Sequence, residues 1–176
     1  MPQTGISITG GDKLPDQLAP HLRLVFVGTA ASHRSAEVGA YYAHPGNRFW
    51  PTLHAVGLTP RLYAPHEFRD LVALGIDFTD MSKRGSGMDH NVLADEFDIA
   101  RFTAAMRKHQ PRVIAFTSKK AASVFYGVPT QKISLGVQSP QADFPSVFVL
   151  TSPSGAATRC WDIAPWQQLS GLISSR

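Results

Sequence analysis

The feature that most constrains this chain is the stretch from Leu22 to Val27, apolar apart from Arg23 and halted at Gly28. A strand with one wet face alternates apolar and polar residues. A nearly unbroken apolar run marks a strand covered on both faces, the signature of a parallel sheet. Beyond it the chain breaks into small residues, GTAAS, and runs to a Pro-Gly turn flanked by aromatics, YYAHPGNRFW. The whole stretch reads as the floor and one wall of a pocket.

Strand and helix patterns then alternate. Phe49, Leu53 and Val56 recur at helical spacing, with Asn47 as N-cap candidate, Pro51 in the first turn and Gly57 as the stop. Helices are expected over 67–74, 97–109, from Ser118 to Tyr126, and from about Trp161 to Ile173. Strands are expected over 76–81, 112–117 and 147–151, with a short hairpin or loop over 129–145. This order predicts an α/β domain around a mainly parallel four-stranded sheet. Residues 1–20 carry Gly and Pro without a period and read as a flexible arm, leaving a single domain over 21–176.

Composition narrows the chemistry. The net charge of +4 and pI near 9.5 favour an anionic partner, nucleic acid first. A lone cysteine, Cys160, excludes an internal disulfide, a four-cysteine iron–sulfur cluster and a cysteine-built zinc site. The histidines lack the spacing of a helical metal site, so neither metal nor cofactor is expected. No apolar run reaches the roughly 20 residues of a membrane span, and the first residues lack the pattern of a secretory signal. The expectation is a cytoplasmic monomer with no membrane partner.

In a parallel sheet the site lies beyond the C-terminal ends of the strands, which collects four segments. GTAAS brings Gly28, Thr29 and Ala30, whose backbone N–H groups can approach a ligand closely; packing alone also explains small residues there. The tyrosines at 41 and 42 offer a ring for a flat base or simply fill the core. Asp80 shares the parity of Ile76 and Phe78, and a carboxylate on a buried face costs free energy unless paired or used. It serves either as a general base or as a cap or partner of Arg84. The basic, glycine-rich SKRGSGMDHN that follows reads as a loop offering Lys83 and Arg84. Lys119 and Lys120 stand at a helix N-terminus, where a cation is unfavourable unless a phosphate lies nearby. Ser152, Ser154, Gly155, Thr158 and Arg159 form a hydroxyl-rich loop able to donate to a DNA backbone.

Together, in this order, these stretches resemble the uracil-DNA glycosylase superfamily, most closely its mismatch-specific uracil/thymine branch. AHPGNRFWPTLHAVGL is similar to that branch's Ala-His-Pro-x-Asn-Arg-Phe-Trp segment and following helix, LRLVFVG to its first strand, and SPSGAATR to its DNA-inserting loop. The resemblance implies a three-layer α/β/α domain that flips uracil from DNA and hydrolyses its N-glycosidic bond, without cofactor. It implies Tyr42 as the ring on the base, with Ser35, Asn47 and the GTAAS backbone around it. Gly155, Ala156 and Ala157 would enter the vacated duplex, and Arg34, Lys83, Arg84 and Lys119 would hold phosphates. Where that branch carries a water-holding Asn this chain has Ala30, and where it carries Asn or His it has Ser152. Asp80 is the candidate replacement. The alternatives are a non-catalytic protein that binds uracil or abasic DNA, and an α/β enzyme acting on small nucleosides or nucleotides.

Overall fold

Four apolar stretches become parallel strands, as two-sided burial requires. The computed structural model describes residues 14–86 and 97–175, without the side chains of 84–86. Its sheet comprises β1 (Leu24–Ala31), β2 (Ile76–Ser86), β3 (Val113–Phe116), β4 (Gly136–Val137) and β5 (Ser146–Val149), in the order β2-β1-β3-β5-β4. The first three and β5 run parallel, and β4 is antiparallel to β5. The expected four-stranded sheet therefore gains a fifth, two-residue strand from the segment left as hairpin or loop.

Helices cover both faces. On one face Phe26, Phe78 and Phe148 pack with α2 (Phe49–Ala55), the 3₁₀ segment Pro65–Leu74 and α5 (Ala164–Ser174). On the other, Val25, Val27, Ile114 and Phe116 pack with α3 (Ile99–His109) and α4 (Lys119–Tyr126). The first face is an aromatic cluster: the Phe26 ring lies 4.9 Å from Phe49 and 6.0 Å from both Phe78 and Trp166. Each such buried ring contributes about 1.5–3 kcal/mol of hydrophobic stabilisation.

Several boundaries differ from expectation. β1 passes Gly28 and ends at Ala31, and a short helix unforeseen in the sequence, α1 (His33–Val38), follows. Ser32 caps it, accepting the Ser35 N–H, and Gly39 closes it at φ 68°. β2 runs to Ser86 instead of stopping at Met81, so the first half of the supposed basic loop is strand. The remainder of that segment, residues 87–91, lies outside the described residues, as do residues 1–13 of the expected arm. The last helix starts at Ala164, with Pro165 in its first turn, because Gly155–Cys160 forms a separate 3₁₀ turn.

The part of the arm that is described is packed. β2 is an edge strand, and the segment 14–20 lies over it. Leu14 is buried in the aromatic cluster on one face, while Leu18 and Ala19 pack against the cluster on the other. Asp16, between them, accepts from the Thr79 hydroxyl at 2.7 Å, and the Ala19 N–H donates to Asp77 at 3.3 Å. Covering an edge in this way removes a template for unwanted strand pairing.

Candidate active site

The site follows from where β1 parts from its neighbours. β1 pairs with β3 only as far as Val27, but with β2 as far as Ala31. The chain leaves β1 towards β2 and returns across it to β3, so the gap between β1 and β3 is the topological switch point of the sheet. A cavity of about 590 Å³ opens there, lined from the ends of β1, β3 and β5, by α4, and by the loop before α2.

Asp80 and the expected base-contacting residues all border this cavity: Gly28, Thr29, Ala30, Ser35, Tyr42 and Asn47. The register explains the central pair. Phe26 is opposite Phe78 and Gly28 opposite Asp80, so the carboxylate continues the face on which the aromatic rings lie. A methyl group on Gly28 would stand 2.4 Å from Asp80 Oδ1 and 3.3 Å from the Tyr42 hydroxyl. Gly28 is thus a clearance for the carboxylate, a reason that its place after an apolar run does not reveal.

Asp80 is 3% exposed. Burial pushes its carboxyl up to about 6, with Lys83 pulling it down, Asp16 pushing it up and Arg101 pulling it down. That leaves it ionised in good part at neutral pH and basic enough to accept a proton.

Tyr42 has φ 52°, uncommon for a residue with a side chain, in the loop that presents its ring. The ring of Phe49 stacks on it at 4.0 Å and 15°, and its hydroxyl lies 3.0 Å from Thr117 Oγ1. Side-chain roles around it are partly structural. Ser35 Oγ accepts from Ser32 Oγ and from the Ala43 N–H, each at 3.0 Å, tying α1 to the tyrosine loop. Asn47 Oδ1 accepts the Phe49 N–H at 2.9 Å, but it does so from one residue before the N-cap of α2, which is Arg48 and has no side-chain cap, instead of from the expected cap position.

Of the residues expected on DNA, Lys119, Ser152, Ser154, Ala156 and Ala157 border the cavity, with Lys120 beside them. Ser152 Oγ accepts the Ser154 N–H, Ser154 Oγ the Ala156 N–H, and the Thr158 hydroxyl donates to Gly155 O. These hydroxyls shape a compact turn in place of an open row of donors. Gly155 is pressed against Gly46, where a Cβ would meet Gly46 O at 3.0 Å. Gly155, Thr158 and Arg159 are exposed just outside the cavity. Arg34 is also exposed and pairs with Glu37 at 3.3 Å on α1.

Lys83 corrects the sequence reading most sharply. Instead of reaching for a phosphate it is 5% exposed. Its ammonium lies 3.0 Å from Asp16 Oδ1 and 3.8 Å from Asp80 Oδ2, and donates to the Tyr41 hydroxyl at 3.1 Å. Arg84 follows it in β2, with a side chain outside the described residues.

Leu14 and Arg48 are among the site residues that the sequence reading did not single out. Leu14 borders the cavity from the packed N-terminal segment, and nothing in its neighbourhood hinted at that. Arg48 ties the two loops together. Its N–H donates to Pro153 O at 2.8 Å, its guanidinium reaches Ser154 O and Thr158 Oγ1, and it lies over the Trp161 ring. Its place in the NRFW segment was the available signal.

A family model described as the uracil DNA glycosylase superfamily matches residues 15–169. The chain belongs to the uracil DNA glycosylase superfamily. The match begins inside the N-terminal segment, consistent with that segment being part of the domain. The five-stranded, mostly parallel sheet between helices agrees with such an α/β fold, and membership supports a DNA glycosylase type of activity in general. Among the described residues, no helix is long and apolar enough to cross a membrane.

Proposed function

We propose that the protein is a monofunctional DNA glycosylase that extrudes uracil from DNA and hydrolyses its N-glycosidic bond, with Asp80 as the general base. The observation that carries this reading is the position of Asp80. A buried carboxylate, held at about 6, borders a cavity at the switch point of the sheet, beside the ring of Tyr42.

In this reading the flipped base lies against Tyr42, which Phe49 supports from behind. Asp80 takes a proton from water as the water oxygen bonds to the sugar C1′. The N1–C1′ bond breaks, and its electron pair leaves with the uracil anion. N–H groups along the Gly28–Ala31 end of β1 are the candidate donors to the base and to the charge that develops on it. The ionised carboxylate also offsets the positive charge forming on the sugar. Lys119 and the turn after Pro153 grip the phosphates on either side of the extruded nucleotide. The product is an abasic site.

The test is single-turnover incubation of a uracil-containing oligonucleotide followed by alkali, which breaks the strand only where a base has been lost. Wild type should cleave, and Asp80→Asn should be slower by at least about 100-fold with DNA binding retained. Equal rates for the two proteins would remove Asp80 from the reaction. Binding by wild type without any strand breaks would instead identify a non-catalytic uracil-DNA binding protein. Running the same assay with matched, mismatched and single-stranded substrates, and with other deaminated bases, defines the range excised.

A further inference from the structure

The charges around Asp80 form a set whose other members take no direct part in the proposed proton transfer. Asp16 comes from the N-terminal segment, Lys83 and Asp80 from β2, and Arg101 from α3. Asp16 uses one oxygen for Lys83 at 3.0 Å and the other for Arg101 at 2.8 Å. Arg101 in turn donates to the backbone carbonyl of Asp80 at 2.7 Å. Two acids and two bases thus neutralise one another where water is scarce: the side chains of Lys83 and Asp80 are 3% and 5% exposed. Buried charges persist only when paired in this way.

The distances within the set are unequal. At 3.8 Å the ammonium is too far from Asp80 Oδ2 for a hydrogen bond, whereas its contacts to Asp16 and Tyr41 are of hydrogen-bond length. An ammonium free to choose would close on the nearest carboxylate, at 2.7–2.9 Å, and occupy a lone pair.

We propose that Asp16 is a positioning residue of this site, holding the Lys83 ammonium back from Asp80. The carboxylate then feels the positive charge but keeps its lone pairs for water. The N-terminal segment is accordingly a working part of the active site, contributing Asp16 below the carboxylate and Leu14 to the cavity wall. This rests on the reading of Asp80 as the base. Among the described residues, the other titratable groups near Asp80 are Arg101, Tyr41 and Tyr42; Tyr41 is kept protonated by burial and by the carboxylates around it.

The experiment follows the Asp80 side-chain carboxyl by carbon-13 NMR through a pH titration of the full-length protein, assigned by its loss in Asp80→Asn. Lys83→Met should move the Asp80 midpoint up by about one pH unit or more, because an opposite charge is withdrawn. Asp16→Asn should move it down, because a like charge is removed and the ammonium is free to approach. Opposite displacements from two neighbours are not what general loosening of the fold produces. A midpoint unchanged in either variant, or displaced upward in Asp16→Asn, overturns the proposal. If Asp16→Asn does not fold, Lys83→Met is compared with the double variant Asp16→Asn/Lys83→Met, which should titrate at the lower pH. Coincident midpoints there overturn it equally.

Excision gives the second readout. Lys83→Met should lose activity near neutral pH and regain it as the pH is raised. Asp16→Asn should be at least about tenfold slower on the alkaline plateau, where no rise in pH restores the lost lone pair. A wild-type rate on that plateau overturns the proposal. Should wild type excise no base, the NMR titration still decides the role of Asp16, and only the proposed function falls.

Discussion

Replacing Gly28 by alanine tests the geometry of the site at a single atom. The added methyl would stand 2.4 Å from Asp80 Oδ1, so one of them must yield by roughly 1 Å to restore ordinary van der Waals contact. The methyl is fixed to a strand paired with β2 at this residue, and Gly28 sits directly opposite Asp80 in the ladder. The backbone is therefore the stiffer partner, and the carboxylate turns away. Rotating a short side chain off its preferred geometry costs about 0.5–1.5 kcal/mol, at the low end of overpacking penalties. A reacting group misplaced by about 1 Å, in contrast, loses on the order of 100-fold in rate, close to 3 kcal/mol of transition-state stabilisation. Gly28→Ala should therefore unfold at nearly the wild-type urea concentration yet excise uracil about 100-fold more slowly under single-turnover conditions. Asp80→Ala in the same background should recover the stability lost, since the clashing oxygen is gone, and recover no activity. A folded Gly28→Ala protein with a wild-type rate would show that Asp80 does not act from its observed position.

The sign of the Asp80 perturbation leads to a second expectation. Its folded value of about 6 lies above the ordinary 3.8, so the folded state binds more protons than the unfolded state between these values. Stability is therefore lost as the pH rises through that window, and the loss is complete above about 6. Asp80→Asn escapes it and should be more stable than wild type at pH 7–8 by up to about 3 kcal/mol, an advantage that fades below about pH 4 in urea titrations. For excision the ionised form is required, so the rate should fall as the pH drops through about 6, and a flat profile down to pH 5 would contradict Asp80 as base. Arg48→Ala removes the ties to Ser154, Thr158 and Trp161; it should weaken DNA binding and speed proteolysis within 152–160 while sparing the rate at saturating enzyme. Changing Lys119 and Lys120 together to alanine should lower the salt dependence of DNA binding by about one phosphate contact each, and an unchanged slope would take them off the backbone.

What the sequence revealed, and what it concealed, divides by the range of the interaction. Asp80 was legible because a strand repeats every two residues, which puts it on the face of Ile76 and Phe78, although the structure buries the other parity of β2 as well. The cap at Ser118 was legible because a cap acts within three residues of itself, whereas α2 starts one residue after Asn47's expected cap position and carries no side-chain cap. Lys83 was not legible. Charge and glycine after Met81 argue for a loop, and the reversal comes from Asp16, far away in sequence, which makes a buried ammonium tolerable. The packed segment carrying Asp16 was missed for a related reason. A strap that crosses a sheet edge places one residue on each face and one at the rim, and so has no helix or strand period to detect. Gly28 was singled out, but as a turn and a donor. Its actual reason is a side chain facing it from another strand, and such a reason is written only in the register.

These long-range contacts share one cause. In the proposed mechanism Asp80 must be ionised and yet stand among aromatic rings, because the face that carries it also carries Phe26 and Phe78. Desolvation pushes the acid towards its neutral form, while a cation in direct contact would favour its charge but occupy a lone pair. A cation at one remove, restrained by a second acid, satisfies both demands. β2 does carry another acid, Asp77, but its oxygens accept the Phe78 and Ala19 N–H groups. The second acid, Asp16, arrives from a segment lying along the open edge of β2, and covering that edge is useful in its own right. One short stretch, from Leu14 to Ala19, does both. Shielding the sheet edge and tuning the base are therefore coupled, and variants that detach this stretch should lose excision before they lose the fold.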